Sequence, residues 1–486
     1  MTDKEKLENA ISSMWSSINM TVLRCSQCSA TFVPYPPRYK CEKCGGLLGY
    51  TYDFEQLKET ALTGPTTFWK FKPLLPKVRN IVTMGEGGTP LHKAERLAKK
   101  IGVNVVYLKD ETRNPTNSFR DRCAALMVSN ALDLKYDSVI CASNGNMGAS
   151  MAAYCTKSGL TCHIIVPKMV DMGKLAQMLI YDAVIEEHGE IVDESNKRAE
   201  SLAKETGWYQ ATAEFNPLVI EAQKTISYEV MEQFGIPDCF VVSMGSGGTI
   251  YSIWKGFKEL QALKNIDKLP RMIGVQAQGC APIAEAHLKN ISKPVTISKP
   301  STQALGILVR NPLNGKGALQ AIKESKGAAI TVQDSEIFAA EQEIARLEGI
   351  FAEPSSSATI AALKKLVHQG VIDKGDTVVC LITGSGLKAT DVLQALAKKR
   401  KTAVVGLELS TKEKILRIIS QKDTYGYSLW KKIGKTMTRA AIYQHLNNLS
   451  ERGLITSYKK EGRKYFKITK RGKRVLRAID DLKTLL

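Results

Sequence analysis

The chain has 486 residues, 44% hydrophobic and 24% charged, the balance of a water-soluble globular protein of about three domains. It contains no run of 18 apolar residues and its start lacks a signal-peptide pattern, which argues against a membrane-spanning or secreted protein and makes the cytoplasm the expected location. The net charge of +20 is uneven: residues 401–486 hold 21 Lys/Arg against 7 Asp/Glu, so +14 of it sits in the last stretch, which predicts a polyanion partner for that part.

Residues 3–18 predict a short amphipathic helix. Cys25-Ser-Gln-Cys28, a 12-residue spacer and Cys41-Glu-Lys-Cys44-Gly-Gly follow. Two such knuckles present four thiolates, Cys25, Cys28, Cys41 and Cys44, in a spacing that suits tetrahedral, structural zinc. The alternative is four reduced structural cysteines. The seven other cysteines are scattered and read as small buried apolar residues.

From about 103 to 390 short apolar strands alternate with helical stretches. Residues 103–109, 138–142, 162–166, 239–243, 272–276 and 377–382 predict buried parallel strands, with helices over 122–132 and 148–157 among those between them. This is an α/β design, in which ligands sit beyond the carboxyl ends of the strands. Two motifs fall there. Ser143-Asn-Gly-Asn-Met-Gly148 follows a strand and opens a helix, whose unpaired N–H groups suit an anion. Gly245, Ser246, Gly247, Gly248 and Thr249 do the same, and their glycines let backbone approach a phosphate closely.

The stretch Leu108-Lys-Asp-Glu-Thr-Arg-Asn-Pro-Thr-Asn-Ser-Phe-Arg-Asp-Arg122 resembles the cofactor-lysine segment of threonine synthase, a pyridoxal phosphate (PLP) enzyme. That family reads Asn-Pro-Thr-Gly-Ser-Phe-Lys-Asp-Arg, and its lysine forms the imine with the cofactor aldehyde. Here that position is Arg120. A guanidinium stays charged and cannot supply the neutral amine an imine requires. The resemblance extends over about residues 20–395 through Gly85-Glu-Gly-Gly-Thr-Pro-Leu91, Asn216-Pro-Leu-Val-Ile-Glu-Ala-Gln-Lys-Thr225, Phe351-Ala-Glu-Pro-Ser-Ser-Ser-Ala358 and Thr383-Gly-Ser-Gly-Leu-Lys388. It implies a fold type II PLP architecture with two parallel-sheet subdomains and an N-terminal zinc-ribbon-like segment. It implies that Asn146 faces the ring hydroxyl, that the Gly245–Thr249 loop holds the phosphate, and that Thr383 pairs with the ring nitrogen. Ser143, Asn144 and Lys224 fall at its substrate positions. The family's threonines have become Asn144 and Met147, its arginine Val219 and its histidine Ser385. Positions for cofactor binding are kept, and positions for imine chemistry or for gripping a phosphorylated substrate have changed.

In the basic tail, a Lys/Arg run over 397–401 leads through an apolar linker to a helix beginning at Thr411. A second helix is predicted over 425–433, and a third from Thr438 with Ile442, Leu446 and Leu449 as its apolar stripe. A hairpin and a last helix over 469–485 complete the order of an α+β winged helix. Tyr425-Gly-Tyr, the Ile-Tyr-Gln-His-Leu helix and Gly462-Arg-Lys-Tyr465 resemble PadR-like transcription factors. That resemblance puts Thr438, Arg439, Tyr443 and Gln444 against double-stranded DNA in the major groove, and Lys460, Arg463 and Lys464 on the wing against phosphates. A protein-binding winged helix is the alternative.

The expected division is 1–50 for the helix and ribbon, 51–395 for the synthase-like module, 396–410 for the linker and 411–486 for the winged helix. The expected function is a DNA-binding transcriptional regulator, a homodimer, whose module binds PLP non-covalently or takes a small amino-acid-like ligand. The rival is an active threonine synthase, or a related PLP lyase, with a regulatory tail. No membrane partner is expected.

Overall fold

A computed structural model describes residues 21–58, 62–263, 266–389, 407–433, 438–460 and 462–484. The helix expected over 3–18 and the Lys/Arg run over 397–401 lie outside the described residues. Two compact units divide the chain, Met1–Leu393 and Gln394–Leu486.

In the first unit the larger sheet is built from five parallel strands in the order Ala328–Val332, Arg271–Ala277, Cys239–Ser243, Thr377–Ile382 and Val105–Asp110, with Leu91–Lys93 antiparallel at its edge. Cys239–Ser243 is buried at every position. A strand covered by helices on both faces is apolar throughout, which is why it reads as a run rather than an alternation. Leu218–Gln233 and Gly248–Ala262 are among its covering helices, the first buried from Leu218 to Val230. The smaller sheet is parallel throughout, in the order Val184–Glu187, Thr161–Val166, Ser138–Ala142 and Tyr209–Gln210.

The predicted strands over 138–142, 239–243 and 377–382 have the observed bounds, and the other three shift by one or two residues. Sequence reasoning missed Ala328–Val332, Val184–Glu187, Leu91–Lys93 and Tyr209–Gln210. All four are sheet edges; Tyr209–Gln210 is only two residues long and the other three have partly exposed side chains, so no unbroken apolar run marks them.

Near the start of the unit, Thr31–Phe32, Val22–Cys25 and Leu48–Thr51 form a small antiparallel sheet carrying the four clustered cysteines. Its Leu23, Leu48 and Tyr50 join the apolar core of the α/β body, and polar contacts add to that. Lys40 Nζ meets Glu200 at 2.6 Å, and Lys255 donates to the Tyr50 carbonyl at 2.6 Å.

In the second unit, helices Leu407–Gln421, Gly426–Lys432 and Arg439–Glu451 precede the hairpin Ile455–Lys460 / Arg463–Ile468 and the helix Lys470–Thr484. Ile442, Leu446 and Leu449 are the buried face of the third helix, as their spacing predicts. Two expectations are corrected. The first helix begins at Leu407, inside the stretch read as linker, so Thr411 is not its opening residue. Tyr425 does not begin the second helix: Thr424–Tyr425 pairs antiparallel with Arg463–Ile468 as a short third strand.

Candidate cofactor site and nucleic-acid interface

The strand ends of both sheets in the first unit converge on one cleft. Ser143–Met147 enter it from the small sheet, where Ser138–Ala142 passes into the helix Asn146–Ser158. Ser243–Gly247 and Thr249 enter from the large sheet, where Cys239–Ser243 passes into the helix Gly248–Ala262. Thr383 follows Thr377–Ile382, and Arg120 opens the helix Arg120–Asp133.

The segment before Arg120 is pinned to the segment after Thr383. Phe119 N donates to the Thr383 carbonyl at 3.0 Å, and Ser385 N donates to the Asn117 carbonyl at 3.0 Å. Asn117 occupies the glycine position of the family motif and has φ +62°, a left-handed conformation that asparagine tolerates better than most side chains. Behind the helix start, Arg122 is wholly buried between Glu111, at 2.7 and 2.8 Å, and Glu229, at 2.5 and 2.8 Å. Lys109 Nζ belongs to the same network, donating to Glu229 and to the Thr89 carbonyl, each at 2.7 Å. These charges are paired several times over, the condition under which a buried ion pair is tolerated.

Arg120 itself is partly exposed, its guanidinium carbon 4.6 Å from the Phe119 ring centroid. Glu214 shares the cleft; burial pushes its carboxyl up and the Arg120 guanidinium offsets part of that rise. Asn146 Nδ2 donates to Glu353 Oε1 and Oε2 at 2.9 and 3.0 Å, while Asn146 Oδ1 is buried without a partner. Lys174 Nζ stands 3.0 Å from Glu353 Oε2. Burial opposes ionisation of Glu353, but the Lys174 ammonium and the Asn146 amide outweigh it and hold the carboxyl below its ordinary range. Ser143 Oγ accepts from Gly145 N and Gly148 N at 3.1 and 3.0 Å, capping the helix. Asn144 Nδ2 donates to the Leu305 carbonyl at 3.0 Å, and Thr383 Oγ1 bonds Ser356 Oγ at 2.8 Å.

Of the residues singled out in this module, Arg120, Ser143, Asn144, Asn146, Gly245, Ser246, Gly247, Thr249 and Thr383 line one cleft, and Gly248 starts the helix behind them. Lys224 does not join them. It is fully buried elsewhere, 2.6 Å from Glu221 and 2.8 Å from Glu259, with its ammonium 4.1 Å from the Tyr52 ring centroid. Its helix turns it away from the cleft, toward Tyr52 at the ribbon junction. Lys174, Glu214 and Glu353 are lining residues that sequence reasoning did not single out. Glu353 was within reach, since it lies inside a quoted motif. Lys174 and Glu214 carry no local signal and are brought in only by chain closure.

Away from the cleft, the Sγ atoms of Cys25, Cys28, Cys41 and Cys44 lie within 4.8 Å of one another. Tetrahedral zinc with Zn–S of ~2.3 Å sets sulfurs about 3.8 Å apart, so the donor set suits that ion after shifts of about an ångström.

In the second unit Thr438 is the N-cap of the third helix, its hydroxyl accepting from Ala441 N at 3.3 Å. Tyr443 and Gln444 are exposed on that helix. Arg439 is exposed too, but its guanidinium carbon lies 4.9 Å from both the Tyr427 and Trp430 ring centroids. Lys460, Arg463 and Lys464 are exposed on the hairpin, with Lys460 opposite Arg463 and Arg463 5.1 Å from the Tyr425 ring.

Residues 82–384 match the family described as "Pyridoxal-phosphate dependent enzyme". The chain therefore belongs to that family, with the α/β fold of its type II members. Within it, the chain is 42% identical over 372 residues to the threonine synthase of Methanosarcina acetivorans, covering 75% of this chain and 92% of that protein. It is 40% identical over 405 residues to the threonine synthase of Methanocaldococcus jannaschii, covering 81% and 99%. The fungal L-serine ammonia-lyase of Rhizomucor miehei shares the fold with a TM-score of 0.56 at 19% identity, over 64% of this chain and 98% of that one. Residues 415–478 match "Transcriptional regulator PadR-like family", so a threonine synthase-like module and a PadR-like domain are fused in one polypeptide. No helix among the described residues is long and apolar enough to cross a membrane.

Proposed function

We propose that this chain is a ligand-responsive, DNA-binding transcriptional regulator. Its synthase-like module binds PLP or an amino-acid-like effector and lacks the lysine that would bond the cofactor at position 120. The observation that carries the reading is Arg120, which lines the cleft beside Asn146, the Gly245–Thr249 loop and Thr383. A guanidinium with a pKa above about 12 neither condenses with an aldehyde nor shuttles a proton at neutral pH.

The surroundings suit the cofactor. Asn146 Oδ1 is a buried acceptor without a partner, ready for a ring hydroxyl. The glycine loop presents backbone N–H groups at the start of a 15-residue helix, which favours a phosphate dianion. Thr383 Oγ1 would offer a hydroxyl to the ring nitrogen. When bound, PLP would supply an electron sink; the chain's contribution is the cradle. The Glu214 carboxylate, which lines the cleft, disfavours a second phosphate group there.

The four thiolates hold structural zinc, which elemental analysis and loss of the metal from a Cys41→Ser variant would test. Tyr443 and Gln444 meet base edges, Arg439 and Thr438 support them, and Lys460, Arg463 and Lys464 meet phosphates. Two copies pair, as half-site reading requires.

The identity of 42% to a threonine synthase favours a second reading, an active enzyme converting O-phosphohomoserine to threonine and phosphate with a DNA-binding tail. One assay separates the two. Full-length protein is dialysed with PLP and supplied with O-phosphohomoserine. Retained PLP without threonine supports the regulator; steady threonine release at metabolic rates ends it.

A further inference from the structure

We propose that Arg120 and Glu214 bind the carboxylate and the ammonium of a free, unphosphorylated α-amino acid with a short side chain, and that this zwitterion is the effector of the module. The inference deepens the regulator reading of the cleft and rests on it. No covalent step is involved, because the ligand is recognised by charge.

Among the described residues, four charged side chains line the cleft: Arg120, Lys174, Glu214 and Glu353. Two of them are paired. Lys174 Nζ stands 3.0 Å from Glu353 Oε2, and Asn146 Nδ2 donates to both oxygens of the same carboxylate. The other two have no ion-pair partner among the described residues. Arg120 rests against the Phe119 ring and beside the Cys123 thiol, which burial keeps protonated, so neither neighbour carries a negative charge. Glu214 is partly exposed, and burial of the rest of it raises its carboxyl. A carboxylate taken partly out of water without a cation against it is unfavourable, and such groups in clefts mark ligand sites.

The two unpaired groups feel each other, since the Arg120 guanidinium offsets part of the rise in Glu214, yet no ion pair joins them. Opposite charges that face one space without touching leave a gap, and an amino acid spans it with its own polarity reversed. Its carboxylate meets the guanidinium, whose fork of N–H donors takes two oxygens, and its ammonium meets Glu214. A ligand carrying only one of these charges would cover the other protein charge and leave it unmet. Val192, Ala213 and Val309 line the same cleft and give a short side chain apolar surface to lie on.

The test is calorimetric titration of the full-length protein as purified, with L-valine and L-threonine as probes. L-Valinamide lacks the carboxylate, 3-methylbutanoate lacks the amine, and O-phospho-L-threonine adds a phosphate. Expected is saturable binding of both amino acids, with each analogue weaker by roughly tenfold or more. Glu214→Gln should lose affinity for L-valine while affinity for 3-methylbutanoate does not fall, so the preference for the amine collapses; a packing defect would weaken both alike. Arg120→Met should collapse the preference for L-valine over L-valinamide in the same way. Absence of binding by both amino acids, analogues that match them, or a preference for the amine that survives in Glu214→Gln overturns this proposal and leaves the regulator reading to its own assay of retained PLP. Steady threonine release from O-phosphohomoserine removes both.

Discussion

At the scale of single residues the cleft depends on which cation carries a removable proton. Arg120 and Lys174 line the same space, yet only the second can become a nucleophile. Arg120→Lys should bring a borohydride-stable PLP adduct to the peptide containing position 120. Melting temperature should change little, because Arg120 is partly exposed and lysine keeps the positive charge beside Glu214. Asp121, next along, gives a prediction in pH. Burial raises its carboxyl to about 6, although its oxygens accept from Thr116 N at 2.7 Å and Thr116 Oγ1 at 2.6 Å. The folded chain therefore holds this proton more tightly than the unfolded one, whose carboxyl titrates near ~3.9. Stability contributed by that proton is present below about pH 4 and is lost as pH rises through 6, on the order of 2–3 kcal/mol in total. Denaturant titrations of the parent and of Asp121→Asn should diverge in slope across that window; parallel curves would remove the assignment. The residue scale is also where sequence reading was least complete. Lys224 and Lys174 are both buried lysines on helices, and no local pattern separates the one paired beneath the ribbon from the one facing the cleft. That distinction is made by which helix face the sheet order turns inward.

At the scale of elements, the strand–loop–helix units at 143 and 245 were legible because glycine and a following helix leave a local mark that needs no tertiary information. What the sequence could not supply is how the loops are braced. Gly247 has φ +89°, and a Cβ there would come within 2.9 Å of Ala318 Cβ and 3.0 Å of the Asn314 carbonyl. Both the left-handed backbone and the close neighbours forbid a side chain. Gly247→Ala should cost about 2 kcal/mol or more of stability, and PLP retention should fall further than stability alone explains, because the N–H cradle shifts. Thermal melts beside dialysis measurements check the pair of effects; retention unchanged in a folded variant would deny the loop its phosphate. The edge strands illustrate the opposite case. Val184–Glu187 has two exposed ends and half-buried centres, a pattern shared with many loops, and only its pairing with Thr161–Val166 makes it a strand.

At the scale of the whole molecule, charge and linkage decide what the fusion of the two units can do. A positive field over residues 401–486 predicts duplex binding that weakens steeply with salt. Arg463→Glu on the hairpin should weaken binding to all duplexes alike, whereas Gln444→Ala on the exposed helix face should flatten preference among them. A basic domain alone, however, makes a DNA-binding protein and not a regulator. Regulation requires that the cleft ligand distinguish two states of the chain that DNA also distinguishes, and any such coupling must be reciprocal. If PLP tightens or loosens duplex binding by some factor, saturating duplex must change PLP affinity by that same factor, commonly about 5- to 150-fold for allosteric pairs. Both legs can be measured on one preparation, by fluorescence anisotropy of labelled duplex with and without PLP, and by PLP dialysis with and without duplex. Equal factors on the two legs identify a switch. Unity on both legs means two independent modules sharing a chain, and the synthase-like unit would then need a purpose other than control of the tail.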